Sequence, residues 1–201
     1  MTVSAELRTL PTIPAPTGTA PTDTAPTGSA PTGDIPADTA PTTPTGSELL
    51  RAAFRRHAAG VAVITAHGAD RPVGFTATSV ASVSAEPPLI SFGVGTGSSS
   101  WPVLAEAEHI GVHLLGEHQA ELAATFARSG ADRFGAPTRW SRGPEGVPVL
   151  DGVPAWLVCR VVGQVPAGDH RIVIAEVVAG DPAGAGRPLL YHQGRFNALR
   201  D

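Results

Sequence analysis

Residues 74–102, GFTATSVASVSAEPPLISFGVGTGSSSWP, are the part of this chain best suited to chemistry. Between Thr76 and Ser84, threonines and serines alternate with apolar residues, so a strand here turns hydroxyls to one face. Pro87-Pro88 and the apolar run 89–94 lead into a Gly/Ser loop, 95–100, and a helix start at Trp101-Pro102. Hydroxyls and free backbone N–H groups converging on a helix N-terminus suit a phosphate, and the strand before them suits a nucleotide-like cofactor. Ser100 has an ordinary alternative use as the helix cap.

Other constellations exclude more than they support. Gly93, Gly95 and Gly97 begin a dinucleotide fingerprint, but its third glycine falls on Ser98 or Ser100. His109, His113 and His118 resemble a metal cluster, yet His109 and His113 stand about 13 Å apart on a strand, too far for one zinc. No G-x-S-x-G elbow exists, so Ser79, Ser82 and Ser84 read as strand hydroxyls. The chain contains no lysine, which removes the Walker P-loop and Schiff-base chemistry. His170 follows Gly168-Asp169 at a turn, where it either faces solvent or is delivered to a rim.

Residues 1–46 are almost entirely Pro, Thr, Ala, Gly, Ser and Asp, with a near-repeat of APTGT type. They offer few bulky apolar side chains to offset ordering entropy and read as a disordered tail. The remaining 155 residues, 47–201, suit one domain, with 13 arginines against 14 carboxylates. No basic face dense enough for nucleic acid is visible. Cys159 lies alone in an apolar run, there is no signal-peptide core, and no run reaches membrane-spanning length. The chain reads as soluble and cytoplasmic.

These residues need elements to hold them. Ser47 is a candidate N-cap for a helix carrying Leu49, Leu50, Phe54 and His57, stopped by Gly60. Strands are expected over 61–66, 73–85, 89–94 and 109–115, with helices over 101–107 and 117–128. Residues 129–148 read as loop. Residues 155–165 and 171–179 form the clearest β signal, a hairpin turning at 166–169, and 189–192 make a last strand. Many strands and few short helices predict a mainly β fold, a barrel with peripheral helices.

Taken together, seven ordered blocks resemble the flavin reductase-like family of NAD(P)H:flavin oxidoreductases. They are FRRHAAGVAVITA, GFTATSVASVSAEPPLISF, SSSWP, ADRF, LDGVPAWLVCRV, GDHRIVIAEVV and PLLYHQGRF, and the resemblance covers roughly residues 49–196. The resemblance implies an FMN-binding split β-barrel that transfers hydride from NADH or NADPH to FMN or FAD. It further implies a flavin-dependent monooxygenase as partner, supplied with reduced flavin, and a homodimer.

By the same resemblance, Thr76, Ala77, Thr78 and Ser79 lie along the isoalloxazine, and Ser82 and Val83 continue that wall. Ser99 and Ser100 hold the phosphate, His170 lies near the nicotinamide, and Tyr191 and Arg195 flank the cofactor mouth. Phosphate neutralisation, without lysine, falls to arginine, backbone N–H groups and the helix end. The alternative from the residues is a split-barrel protein that carries flavin without turning it over.

Overall fold

The computed structural model describes residues 43–199. The expected tail, residues 1–46, falls outside the described residues except for Thr43, Pro44, Thr45 and Gly46. The first helix, α1 (Gly46–Phe54), is capped by Thr45, not by Ser47. Thr45 Oγ1 accepts the Glu48 backbone N–H at 3.3 Å, and Glu48 Oε2 accepts the Thr45 N–H at 2.7 Å. This reciprocal box needs an acid three residues after the cap, and Ser47 would find only Leu50 there.

Among the described residues, twelve strands follow or interleave with two more α-helices. They are β1 (Ala59–Gly60), β2 (Ala62–His67), β3 (Pro72–Ala77), β4 (Ala81–Ala85), β5 (Pro88–Gly95), α2 (Trp101–Glu106), β6 (His109–Leu114) and α3 (Ala120–Ala127). After them come β7 (Trp140–Arg142), β8 (Pro148–Leu150), β9 (Ala155–Ala167), β10 (His170–Asp181), β11 (Leu189–His192) and β12 (Arg195–Ala198). The fold is mainly β, as the turn-rich, β-branched sequence predicts. The stretch 129–148 is not all loop: β7 and β8 pair as a short ribbon, tied to the main sheet where Thr65 Oγ1 donates to the Pro148 carbonyl at 2.7 Å.

Seven strands make one antiparallel sheet in the order β3-β2-β6-β9-β10-β5-β4. The sequence suggests one strand over 73–85. The structure divides it at residues 78–80 and sends its halves to opposite edges of the sheet. Four peptide steps from Ala77 to Ala81 can span at most about 14 Å, so the sheet has to curl until its edges are neighbours. Phe75 of β3 accordingly meets Phe92 of β5, their ring centroids 6.2 Å apart. The curl encloses one core, built on Ile64, Phe92, Ile110, Val112, Cys159 and Val173.

A second core lies on the other face of β2. Val61 and Val63 pack there with Leu115, Phe126, Leu150 and Leu189, beneath α3. Strand β2, next to the β3 edge, is thereby buried on both faces. A separate three-stranded sheet, β1-β11-β12, includes the expected strand 189–192 and adds β12.

His113 is wholly buried on β6. Its Nδ1 lies 3.0 Å from the Val63 carbonyl, which can only accept, so Nδ1 carries the proton. Its Nε2 is buried without a partner. Burial pushes the imidazole pKa down from 6.5 to about 4, the Val63 hydrogen bond opposing only weakly. Below about pH 6.5 the unfolded chain protonates this histidine, and the native protein does not until about pH 4. Stability therefore falls as pH drops through that window, by about 3 kcal/mol from this group. An NMR titration of His113 Hε1 in the native protein should show the neutral ring persisting to about pH 4. A midpoint near the free-imidazole value would contradict this.

Candidate functional site

Two cross-ties define the site. At one end Ser100, fully buried, donates its hydroxyl to the Gly74 carbonyl at 3.0 Å and so fixes the Gly/Ser loop to β3. At the other, Ser79 Oγ accepts the Gly93 N–H at 2.9 Å, fixing the β3–β4 crossing to β5. Ser100 stands at the α2 N-terminus, but its side chain makes no capping bond. Gly74 is required at the first tie: a Cβ there would stand 2.7 Å from the Ile64 carbonyl oxygen and 2.9 Å from the Phe126 ring.

A cation completes the first end. Arg133 Nη1 lies 3.3 Å from Ser99 Oγ and 3.4 Å from Ser100 Oγ, and Nη2 donates to the Arg128 carbonyl at 2.9 Å. Its Nε is buried and has no partner among the described residues. Burial lowers the guanidinium pKa, but arginine stays charged at any ordinary pH. A positive group held by long bonds to two hydroxyls, with donor capacity left over, has the chemistry to receive an anion. A cavity of about 650 Å³ opens beside it, lined by Arg71, Gly74, Ser99, Ser100, Arg133 and Trp140 among others.

The second end is a flat strip. Along β5, Ile90, Phe92 and Val94 point into the core, which puts Gly93 and Gly95 on the outer face. A Cβ on Gly93 would meet Ser79 Oγ at 3.6 Å, and one on Gly95 would meet His170 Nε2 at 3.7 Å. Ser79 and His170 thus flank a side-chain-free floor. The β9–β10 hairpin is longer than the sequence suggests: its turn is only Gly168-Asp169, and His170 is the first residue of β10, paired with Gly95. His170 Nδ1 lies 2.7 Å from Asp169 Oδ1. A carboxylate oxygen accepts, so Nδ1 carries the proton and Nε2 is the free edge above Gly95. The same contact holds the Asp169 carboxyl below its usual range.

The profile of the flavin reductase like domain matches residues 54–200. The chain belongs to that family. It is 49% identical over 150 residues to an NADH:FMN oxidoreductase of Rhodococcus qingshengii, covering 73% of this chain and 78% of that one. It is 39% identical over 141 residues to the reductase component of a 4-nitrophenol monooxygenase of Rhodococcus opacus, covering 69% and 74%. Among solved structures, the NADH:FAD oxidoreductase of Streptomyces globisporus, held with NAD and FAD fragments, superposes with a TM-score of 0.72. That match has 32% identity and covers 77% of this chain and 93% of the other.

Within this flavin reductase domain, the residues singled out from sequence fall in different places. Ser79, Ser99, Ser100 and His170 join the two tied ends. Thr76 lies on β3 between them, but its hydroxyl is spent on the Ala123 carbonyl at 2.6 Å. Ala77 is buried in the core and offers the site only its backbone. Thr78 is exposed at the crossing, and Ser82 and Val83 are exposed on β4. Tyr191 and Arg195 sit on the three-stranded sheet, where Tyr191 meets Phe196 edge-on at 5.5 Å.

Arg133, Gly93 and Gly95 are the residues that sequence reasoning missed. The want of any lysine beside the block ADRF was the available signal for Arg133. The glycine alternation with Phe92 and Val94 was the signal for the floor. Ser100→Ala should cost about 1–3 kcal/mol, because it strips a buried hydrogen bond, whereas exposed Ser99→Ala should leave stability unchanged. Urea unfolding of the two variants checks this difference.

Proposed function

We propose that this chain is an NADH-dependent flavin reductase that passes hydride to a flavin and supplies the reduced flavin to a partner monooxygenase. The observation that carries it is the pairing of a part-buried, underused Arg133 with a glycine floor flanked by Ser79 and His170. The residues fit the cofactor. Arg133 and Ser99 would take its phosphate, and the floor at Gly93 and Gly95 admits a planar ring against backbone. The backbone of residues 76–79, with Ser82 and Val83, would border the ring.

When bound, the flavin supplies the two-electron redox chemistry, which needs orientation more than acid–base groups. His170 would place the nicotinamide: Asp169 fixes its tautomer, and its free Nε2 edge stands over Gly95. Tyr191 and Arg195 would act at the cofactor mouth if a second copy of the chain brings them there. A homodimer is supported by the apolar, exposed Val165 and Ile172, which continue laterally from Gly93 across paired strands. No helix among the described residues is long and apolar enough to cross a membrane. We read the protein as cytoplasmic, the compartment in which NADH and a partner monooxygenase would be available to it. The reductase domain would run from residue 47, with residues 1–46 a tail the chemistry does not need.

NADH oxidation by the purified protein should rise steeply on adding free flavin, and a flavin carrier would leave NADH untouched. Arg133→Ala should weaken FMN binding by about tenfold or more while sparing riboflavin, which has no phosphate. Equal losses for both ligands would show that Arg133 acts on the fold and not on the phosphate. Gly93→Ala should leave folding intact, since the added Cβ would meet Ser79 Oγ at an ordinary 3.6 Å. The same substitution should raise the Kd for every flavin by obstructing the floor. Calorimetric titrations and a melting curve test both halves.

A further inference from the structure

The tip of the β9–β10 hairpin has little to hold it. Residues 165–170 are all exposed, so packing within the chain does not fix the turn that carries His170. Its geometry rests on hydrogen bonds. Strand β5 pairs with β10 only as far as Gly95 opposite His170, one residue short of the turn. Half-buried Thr96 then reaches past the end of that ladder. Its backbone N–H and its Oγ1 both donate to the Asp169 carbonyl, at 2.9 and 3.0 Å.

Two donors on one carbonyl are more than its satisfaction requires. The Thr96 N–H already supplies one partner, and an exposed group can also turn to water. What the hydroxyl adds is direction. A carbonyl oxygen has two lone pairs, and filling both from one residue fixes the peptide plane between Asp169 and His170. The contact of 2.7 Å between Asp169 Oδ1 and His170 Nδ1 starts from that plane. His170 Nε2 then returns over Gly95, the neighbour of Thr96, which closes the circuit.

We propose that Thr96 is a positioning residue for the hydride donor, setting the place and tautomer of His170 through the Asp169 carbonyl. The inference rests on the reductase reading above, in which His170 places the nicotinamide. Hydride transfer is sensitive to the placement of its donor, so a loose hairpin tip would weaken it. Thr96 acts through Asp169 and touches no reacting atom. Within the loop 95–100 its hydroxyl serves the end of the site opposite to Ser99 and Ser100.

Thr96→Val and Thr96→Ala test this, because both keep the backbone bond and remove the hydroxyl. In the full chain without flavin, at about pH 9 where imidazoles are neutral, a long-range proton–nitrogen NMR spectrum should show His170 protonated at Nδ1. Loss of that signal in His170→Gln assigns it. Thr96→Val and Thr96→Ala should move His170 toward the Nε2–H tautomer, and Thr96→Ser, which keeps a hydroxyl, should not. In turnover, the first two should raise the KM for NADH about fivefold and leave the Kd for FMN within about twofold, with Thr96→Ser close to the unaltered protein. A tautomer or an NADH KM that both variants leave unchanged overturns the inference, and the reductase reading stands. Equal weakening of FMN and NADH also overturns it, by showing that Thr96 acts on the fold. An unaltered protein that oxidises no NADH with added flavin overturns both.

Discussion

The short crossing at residues 78–80 is the constraint on which the rest of the structure depends. It joins strands on opposite edges of a seven-stranded sheet, so the sheet curls as far as three residues demand. Curling buries Ile64, Phe92 and Val112 on one side and leaves the outer face of β5 free at the seam. Ser79, in the middle of the crossing, bonds the Gly93 backbone and pins the seam. The site lies along the seam because the closure there rests on side-chain ties, with no strand ladder joining β3 to β4 among the described residues.

Polar groups along the seam divide between holding the fold and remaining available. Thr76 is consumed by α3, Ser79 by β5, and Ser100 by β3. Each bonds a backbone group; for half-buried Thr76 and buried Ser100 this meets the usual requirement on polar atoms taken from water, whereas Ser79 is exposed. Arg133 and Ser99 are different. Their mutual bonds are long, the Arg133 Nε has no partner among the described residues, and the pair opens into a cavity. A charge kept part-buried and incompletely satisfied costs stability, and an anion in the cavity would offset that cost.

The β9–β10 hairpin supplies the other end by register. Its two-residue turn, with Gly168 at φ +62°, places His170 opposite Gly95. A slip of one residue would turn His170 to the core face and Arg171 to the floor. Pairing of β10 with β5 from His170 to Glu176, and with β9 from His170 to Ile174, opposes that slip, since Val173 and Ala175 must stay in the core.

Much of this was legible in residue order. The period-two runs specified the strands, Gly168-Asp169 the hairpin, and the blocks from FRRHAAG to HQGRF the family and its flavin chemistry. Loop Gly95–Ser100 also stood out, as hydroxyls before a helix start that suit either an anion or a helix cap. Local signals could not say where a hydroxyl points. Thr76 and Ser79 look alike in sequence, yet one faces α3 and the other β5. The break at 78–80, the choice of Thr45 as cap and the pairing of β7 with β8 each depend on a partner that periodicity does not reveal. Sequence by itself determined most of the longer strands, the family and the hydroxyl-rich segment, because these follow from side-chain pattern. Only the tertiary structure decided that Arg133, more than thirty residues from Ser99, is the cation beside it. That contact arises from closure of a curled sheet, a long-range constraint with no trace in local spacing.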